Sequence, residues 1–390
     1  MNSRELDQLR SSSGHGLETD FHLLDDYKKI RRTPPRFLNN FSPSVMGSHG
    51  FSKIMAAERN VHKRTLETFQ ECRLLGEDFI IKDGEIFNRY FATGFARTKT
   101  SAENFQSGKS RKLKIHPAEE GGKYTIERLY YSSSVDLDFR VFLGTSDEPV
   151  NYGMWLFIVI PAVHEFLENR HLYDKFMCHC SRPWQRKILR GLGIPDADLI
   201  EHDLEKIYRC ASLTLHRASH RDLYLRDSYF PAIRWVAEKF KNQGSASERI
   251  FVSRLSRTKN GAYRGLLNEE IFIDEIKKLD FRIVEPELLS FVEQVNLFAR
   301  ASTIVGLGGA GMFNTVFCKE GTKVLDIESG LKFLDSHCNM FSSCKLDYAV
   351  LLGEEDPEDP RLVQKRWKID IKESMQVIES FVKDRMSHPT

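Results

Sequence analysis

A glycine-rich stretch between two apolar runs contains the residues of this sequence that are best suited to chemistry. It reads Ile304-Val305-Gly306-Leu307-Gly308-Gly309-Ala310-Gly311-Met312-Phe313-Asn314, with four glycines within six residues. Glycine allows the backbone to approach a ligand closely, and the N-terminus of a following helix offers N–H groups and partial positive charge to an anion. The stretch therefore predicts a phosphate-binding turn, and a packing turn of an α/β sheet is the alternative.

Arginines follow another apolar run, in Phe251-Val252-Ser253-Arg254-Leu255-Ser256-Arg257. The planar guanidinium group forms bidentate contacts with phosphate. At the carboxyl edge of a parallel sheet, Arg254 would lie at the same crevice as the glycine-rich turn. We interpret Arg257 and Lys259 as solvated loop charges, whereas Arg264 lies near the start of the next predicted helix.

Polar residues on the neighbouring helices allow a structural interpretation. Asn268 is predicted to cap a helix, with Glu269 and Glu270 in its first turn. Glu293 and Gln294 fall on the helix that precedes the glycine-rich strand. Both alternatives stay open for this pair, which either reaches the crevice or is an ordinary exposed pair.

Cysteines and histidines occur in two short clusters, Cys178-His179-Cys180 and His337-Cys338 with Cys344. Neither has the spacing of a structural zinc site, and strand alternation would point His179 away from the two thiols. The sequence also lacks a G-x-S-x-G elbow, an H-E-x-x-H helix and a complete P-loop. We therefore predict no metal site and no hydrolase or P-loop chemistry.

Apolar periodicity predicts the elements that position these residues. Strands and helices alternate through the second half of the chain, which indicates a parallel, doubly wound sheet. In the first half, two apolar runs around Asp83-Gly84 predict a hairpin, and Tyr152 to Glu168 predicts one helix. The strands predicted in the second half are 249–253, 281–284, 303–305 and 323–327, the helices are 268–278 and 291–299, and a last helix covers 371–386.

Composition restricts the class of protein. A chain of 390 residues with 41% apolar and 29% charged residues is typical of a globular protein of two domains. A net charge of +2 argues against a dedicated nucleic-acid binder. No secretory signal is evident, and the apolar run Met154 to Val163 is too short to span a bilayer. Seven cysteines without framework spacing are typical of reduced thiols, so we expect a cytoplasmic protein with at most peripheral membrane association.

Between Arg249 and Ser329 the sequence resembles glycosyltransferase family 61. The family's second domain has a Ser-Arg strand end, a Leu-Asn-Glu-Glu helix start, a Glu-Gln helix and a His-Gly-Ala-Gly-Leu turn followed by Asn. Here these motifs read Ser253-Arg254, Leu267-Asn268-Glu269-Glu270, Glu293-Gln294, Gly308-Gly309-Ala310-Gly311-Met312 and Asn314. Upstream, the run Asn151 to Pro161 resembles the family's Asn-aromatic-x-His-Trp motif, and the run Gln185 to Ile194 resembles its helix closing in Leu-Gly-Ile.

The resemblance implies a GT-B protein, with two Rossmann-like doubly wound α/β domains facing across a cleft. It further implies an inverting glycosyltransferase that uses a nucleotide-sugar donor, with a UDP-sugar expected first, and no obligatory metal. The expected acceptor is a glycan of surface polysaccharide or a lipid-linked saccharide, at the inner membrane face. Carried over, Arg254 and the turn Gly309 to Gly311 would hold the donor diphosphate. The other implied binding residues are Asn151, Arg264, Asn268, Glu293, Gln294, Gly308, Ala310 and Asn314.

On this basis we expect a polar arm over residues 1–59, an acceptor-side domain over 60–243, a donor domain over 244–352, and a linker with a helix that packs back across both domains over 353–390.

Three positions depart from the family motifs. The histidine before Trp is Met154 here, the acidic residue after it is Ile158, and the turn histidine is Gly308. Methionine and isoleucine cannot transfer protons, so His164 and Glu165 become the candidates for acid/base work. We favour an active transferase. The alternatives are a catalytically silent glycosyltransferase-like binding protein and, third, another nucleotide-dependent enzyme on the same sheet.

Overall fold

The computed structural model describes residues 9–11, 20–39, 46–61, 63–83, 85–87, 115–117, 123–126, 133–218, 227–241, 247–259, 264–331, 334–361 and 365–383. The chain forms two compact units. The first comprises Met1–Lys28, Asn60–Asp222 and Asp227–Ala232, and the second comprises Lys29–Arg59, Leu223–Arg226 and Ile233–Thr390.

The strands are β1 Leu9–Ser11, β2 Asp20–Asp25, β3 Lys28–Arg31, β4 Arg36–Phe37, β5 Glu58–Val61, β6 Arg64–Leu75, β7 Phe79–Lys82, β8 Glu85–Phe87, β9 Ile115–Pro117, β10 Lys123–Ile126, β11 Ser133–Leu143, β12 Lys175–Cys178, β13 Leu199–Glu201, β14 Lys206–Ala218, β15 Glu248–Val252, β16 Arg282–Val284, β17 Ala301–Leu307, β18 Lys323–Glu328, β19 Asp347–Leu352, β20 Glu354–Glu355 and β21 Trp367–Lys368. The α-helices are α1 His49–Met55, α2 Tyr152–Met154, α3 Ile160–Glu168, α4 Pro183–Leu192, α5 Phe230–Lys239, α6 Leu255–Lys259, α7 Glu269–Lys277, α8 Phe291–Arg300, α9 Leu334–Ser343 and α10 Ile371–Lys383. A π-helical turn, Trp155–Val159, joins α2 to α3, and 3-10 helices cover Arg170–Leu172, Asp196–Asp198, Pro286–Leu288 and Ala310–Phe317.

The second unit contains a six-stranded sheet in the order β16-β15-β17-β18-β19-β4, and all of its neighbouring strands are parallel. Its central strands β17 and β18 are buried along most of their length, which is typical of a parallel sheet covered on both faces. The predicted alternation of strands and helices over this region is confirmed, and the fold is mixed α/β with parallel strands. Read in chain order, the five strands from β15 to β19 are arranged 2-1-3-4-5.

The last helix packs within the second unit. Ile378 and Phe381 of α10 belong to the same apolar core as Phe272 and Ile276 of α7. The apolar side of each amphipathic helix is thereby removed from water. Packing of this helix across both domains stays a prediction.

The N-terminal segment 29–59 is part of the second unit, whereas the sequence led us to expect a separate polar arm. β4 extends the parallel sheet beside β19. Arg32 is buried, and its guanidinium group donates hydrogen bonds to Asp335 Oδ1 at 2.9 Å and Asn339 Oδ1 at 2.7 Å. The polar composition that suggested an arm therefore includes residues whose charges are paired in the interior.

The first unit contains an eleven-stranded mixed sheet. β13, β12, β11 and β14 are parallel neighbours, and so are β8 and β1, whereas β14 continues into the antiparallel strands β6, β7 and β8. The predicted hairpin is the antiparallel pair β7 and β8, although Gly84 lies outside the described residues. We expected a doubly wound first domain, and this prediction is wrong for the antiparallel part of the sheet. The long strand β6 pairs antiparallel to β14 along most of its length.

The boundary expected at residues 243 and 244 also differs from the compact units, which change at Ile233 within α5. The residues after α5 are tied to α8, since Asn296 Nδ2 donates to the Phe240 carbonyl oxygen at 2.7 Å and the Phe240 and Phe291 rings are 5.8 Å apart. Residues 242–246, which include this expected boundary, lie outside the described residues. Within the part of the chain that is described, no helix has the length and apolar character needed to cross a membrane.

Candidate functional site

The carboxyl ends of β15 and β17 lie side by side in the second unit. These parallel neighbours end at Val252 and Leu307. They are the first and third strands of the 2-1-3-4-5 order, so the chain leaves them toward opposite sides of the sheet and leaves a crevice where parallel α/β sheets bind ligands. Arg254 and the glycine-rich turn both follow at this edge, and the structure brings them into contact as the sequence predicted.

Arg254 reaches from the end of β15 to the turn. Its Nη1 donates to the Gly308 carbonyl oxygen at 2.6 Å. Burial, followed by the positive charge of Arg264, lowers the pKa of Arg254 to about 10. The side chain remains a cation near neutral pH, but it is one whose charge is poorly solvated.

Glu269 fixes the segment that carries Arg254. Its Oε1 accepts hydrogen bonds from Ser253 Oγ at 2.6 Å and from the Arg254 backbone N–H at 2.7 Å. Burial raises the pKa of Glu269, against the opposing effect of these two hydrogen bonds. The residue is in the first turn of α7 as expected, yet its position under the Arg254 backbone was not predicted.

Arg264 approaches the same carbonyl group from another direction. Its Nη2 donates to Gly308 O at 3.3 Å, and its Nη1 donates to Glu328 Oε2 at 3.2 Å. The backbone has a φ of 58°, and its carbonyl oxygen accepts from the Trp367 indole N–H at 2.9 Å. A left-handed arginine carries backbone strain of about 1–3 kcal/mol, which surrounding contacts must offset.

The glycine-rich turn leaves room for close approach. A Cβ on Gly309 would lie 3.2 Å from Arg254 Nη1, and one on Gly311 would lie 3.1 Å from Pro286 Cγ. The helix that follows the turn, as the sequence led us to expect, is a 3-10 helix, Ala310–Phe317. Ala310, at its start, is exposed. These features place backbone and two guanidinium groups around one small region.

Behind the turn, Glu328 fills the space that a side chain at Gly308 would need. A Cβ on Gly308 would lie 2.0 Å from Glu328 Oε1. Asp326, on the same face of β18, pairs through Oδ2 with His337 Nδ1 at 2.7 Å. All three side chains are buried. From the sequence we grouped His337 only with the neighbouring cysteines and did not predict its contact with the two carboxylates. The Asp-x-Glu spacing at a strand end could have indicated two carboxylates on one face.

The remaining residues that we expected to bind the sugar-nucleotide donor have other partners. Asn314 Nδ2 donates to Gln294 Oε1 at 2.8 Å, and this pair is buried. Asn268 was expected to cap α7 through its side chain, but its Nδ2 donates to the Ile369 carbonyl oxygen at 2.7 Å and forms no capping bond. Glu293 forms a capping box with Ser290 at the start of α8. The structure thus brings together Arg254, Arg264, Gly308 and Gly309 and gives Asn268 and Glu293 structural contacts.

In the first unit, Asn151 caps the helical run that carries His164 and Glu165. Its Oδ1 accepts from the Gly153 N–H at 2.9 Å, and its Nδ2 donates to Glu148 Oε2 at 2.6 Å. Burial lowers the pKa of His164 against the opposing charges of nearby carboxylates, so the imidazole is neutral near pH 7. Glu165 Oε1 accepts from Asn169 Nδ2 at 2.6 Å.

Met154 and Ile158 are the residues at which the resemblance led us to expect a histidine and an acidic residue. Met154 is 3% exposed and lies in the core, and Ile158 is partly buried. Neither of these side chains can donate or accept a proton.

Comparison with known proteins agrees with this geometry. Residues 152–325 match a family model described as Glycosyltransferase 61, and a search of curated proteins gave no match. The matched segment includes the run from α2 to α3, both arginines and the glycine-rich turn. Residues 152–325 of the chain, somewhat less than half of it, are therefore similar to glycosyltransferase family 61.

Proposed function

We propose that this chain is an inverting glycosyltransferase that transfers a sugar from a nucleotide-sugar donor, with a UDP-sugar tested first, to a glycan acceptor. The expected acceptor is a surface polysaccharide or a lipid-linked saccharide. The proposal includes the GT-B architecture, a cytoplasmic location with peripheral membrane association, and a transfer step that needs no metal ion. The family match supports the reaction class.

The observation that carries the proposal is the convergence of Arg254 and Arg264 on the Gly308 carbonyl oxygen. Two guanidinium groups in one partly buried place repel each other, and a bound anion would relieve that repulsion. A diphosphate would receive charge-assisted hydrogen bonds from both arginines and from the backbone of the turn Gly309 to Gly311.

The same groups suit the chemistry of sugar transfer. When the bond from the sugar C1 to the diphosphate oxygen breaks, the electron pair stays on the departing nucleoside diphosphate. Donors that are already oriented stabilise this charge as it develops. The acceptor oxygen forms the new bond to C1, and its proton passes to a general base. We assign this role to His164, because burial keeps its imidazole in the neutral, proton-accepting form, and we keep Glu165 as the second candidate.

A thermal-shift titration with UDP, GDP, CMP and their sugar conjugates tests the donor site. A ligand at a hundred times its dissociation constant stabilises the folded state by about 2.7 kcal/mol. We expect a selective shift for one nucleotide class. Arg254→Ala should then raise the dissociation constant of that nucleotide by about 10- to 100-fold, because a hydrogen bond to a charged group contributes about 1.5–3 kcal/mol.

Arg282→Ala provides the matched control. It makes the same charge change at the amino end of β16, where Arg282 is 56% exposed and pairs with Glu248. Its affinity for the nucleotide should equal that of the unmodified protein. Unchanged affinity in Arg254→Ala, or an equal loss in both variants, would contradict the assignment of Arg254.

The second candidate function is binding of a sugar nucleotide without transfer. The buried Met154 and the partly buried Ile158, where the family motif has proton-transferring residues, favour it. Nucleotide binding with no release of nucleoside diphosphate in the presence of varied acceptors would support this candidate. Turnover by the unmodified protein would eliminate it, and loss of that turnover in His164→Gln would support the assignment of the base.

A further inference from the structure

Three buried side chains behind the turn form a cluster of metal-ligating groups. Asp326 and Glu328 come from the end of β18, and His337 comes from α9. One carboxylate oxygen of each acid and one ring nitrogen of the histidine all lie within 4.8 Å of one another. Glu328 Oε1 is 3.8 Å from His337 Nδ1, and Asp326 Oδ2 is 2.7 Å from it.

Two oxygens of this cluster are unsatisfied. Asp326 Oδ1 and Glu328 Oε1 are both buried, and neither has a hydrogen-bond partner among the residues that the structure describes. A buried carboxylate oxygen left without a partner destabilises the folded state, because it has lost its hydration. Such atoms are rare in native proteins, and an ion is one of the few ways to satisfy them.

The charged groups around the cluster have an excess of negative charge, which a cation would balance. Asp326, Glu328 and Glu269 supply three carboxylates near the turn, and Arg254 and Arg264 supply two positive charges. With His337 neutral, this set has one excess negative charge. A proton on His337 would balance it through Asp326, but it would leave the two unsatisfied oxygens as they are.

The chemistry of the three metal-ligating side chains indicates the class of cation that would bind. One imidazole with two carboxylates suits Zn²⁺ or Mn²⁺, whereas Ca²⁺ and Mg²⁺ prefer ligand sets made only of oxygen. A zinc ion lies about 2.0–2.2 Å from nitrogen and oxygen ligands, so small side-chain rotations would have to bring the three donor atoms to these distances from the ion.

The surroundings hold the ligands in place. Glu328 Oε2 accepts from Arg264, which leaves Oε1 directed toward the cluster. The His337 ring packs edge-on against Phe313, with ring centroids 5.1 Å apart. Ligating carboxylates and imidazoles in metal sites are oriented by such outer contacts. The missing side chain at Gly308 supplies the space that Glu328 occupies.

We propose that Asp326, Glu328 and His337 bind one divalent transition-metal cation, Zn²⁺ or Mn²⁺, behind the phosphate-binding turn. The cation would join β18 to α9 beneath Gly308 and would fix the position of Arg264 through Glu328. This site is separate from the proposed sugar transfer, which does not pass through the metal.

Equilibrium dialysis of the chelator-treated full-length protein against Zn²⁺, Mn²⁺, Ca²⁺ or Mg²⁺ tests the proposal, with bound metal measured by mass spectrometry. We expect about one equivalent of Zn²⁺ or Mn²⁺ and weaker binding of the other two cations. Asp326→Asn and Glu328→Gln should each weaken that binding by about tenfold or more, since even outer-shell changes in metal sites cost about 10- to 100-fold.

Two histidine variants separate this cluster from the cysteine-containing motif. His337→Gln should lose the bound cation, whereas His179→Gln, beside Cys178 and Cys180, should retain it. Melting temperatures in chelator show whether each variant folds, and Glu328→Gln preserves side-chain volume if Asp326→Asn does not fold. Added Zn²⁺ or Mn²⁺ should raise the melting temperature of the unmodified protein and leave that of Glu328→Gln unchanged.

The proposal is overturned if the unmodified protein binds none of the four cations, or if Glu328→Gln and His337→Gln bind as tightly as the unmodified protein. A proton on His337 would then be the occupant of the cluster. None of these measurements uses a nucleotide, so failure of the metal site and failure of the proposed transferase are distinguishable.

Discussion

The buried histidine His202 predicts a specific loss of stability in mild acid. Its side chain is fully buried, its Nδ1 is 2.8 Å from Thr145 Oγ1, and its Nε2 has no hydrogen-bond partner in the described part of the chain. Burial, followed by the neighbouring His179, lowers the pKa of His202 from 6.5 to about 3. The folded state therefore holds the neutral imidazole, while the unfolded state takes up a proton as the pH falls below 6.5.

The size of the effect follows from this difference in pKa. The free energy of unfolding should be independent of this group above 6.5 and should fall at about 1.4 kcal/mol per pH unit between 6.5 and about 3. At about pH 5 the accumulated loss is about 2 kcal/mol. Urea unfolding at about pH 7 and about pH 5, followed by hydrogen exchange in β12 and β14, measures the stability of the first unit.

His202→Gln removes the titration and retains an amide that can hydrogen-bond Thr145. In this variant the loss of stability between the two pH values should be smaller by about 2 kcal/mol than in the unmodified protein. His171→Gln, which changes an exposed histidine of the same unit, is the control and should keep the full pH dependence. An equal pH dependence in His202→Gln would show that His202 is not the source of the loss of stability in acid.

Two further substitutions test the packing of the second unit. Gly308→His, which introduces the residue of the family motif, should lower the free energy of unfolding by about 1–3 kcal/mol, because its Cβ would lie 2.0 Å from Glu328 Oε1. Adding Glu328→Ala to the Gly308→His variant should recover part of this loss, as measured by urea unfolding. The control is Gly330→Ala, where the added Cβ meets nothing within 4 Å. If Gly308→His costs no more than this control, the predicted clash with Glu328 is contradicted. Arg32→Met should cost about 3 kcal/mol by the same measurement, because it removes a buried guanidinium that pairs with Asp335. A cost near zero would show that the buried contacts of Arg32 do not stabilise the second unit.

The sequence predicted the sheet of the second unit because each element there carries its own signal. β17 contains a short apolar run, and α8 has an apolar face and a Ser290 to Glu293 capping box. Alternation of such elements restricts the topology to a parallel sheet. The contact between Arg254 and the turn was predictable for the same reason, since both follow adjacent strands at the same edge.

The sequence did not predict the features that depend on pairing between distant segments. β6 pairs with β14 across more than a hundred residues, for example Phe69 beside Leu213. The placement of Arg32 against α9 likewise depends on the fold of residues near 335 and 339. Such contacts produce no periodic pattern in the local sequence. Each member of the pair is an ordinary polar or apolar residue in the sequence until its partner is known.

The departure from the family motif at Gly308 has a counterpart on the neighbouring strand. Gly306 is registered beside Asp326, and the Gly308 N–H donates to the Ile327 carbonyl oxygen at 2.8 Å, which places Gly308 beside Glu328. Side chains at registered positions of a parallel sheet share a face, so the absent side chain at 308 gives its space to the carboxylate at 328. A histidine at 308 would need a smaller residue at 328, and the carboxylate that now holds Arg264 would be lost. The glycine is therefore one half of a coupled arrangement with Glu328, and its effect on donor binding has to be measured together with that of Glu328.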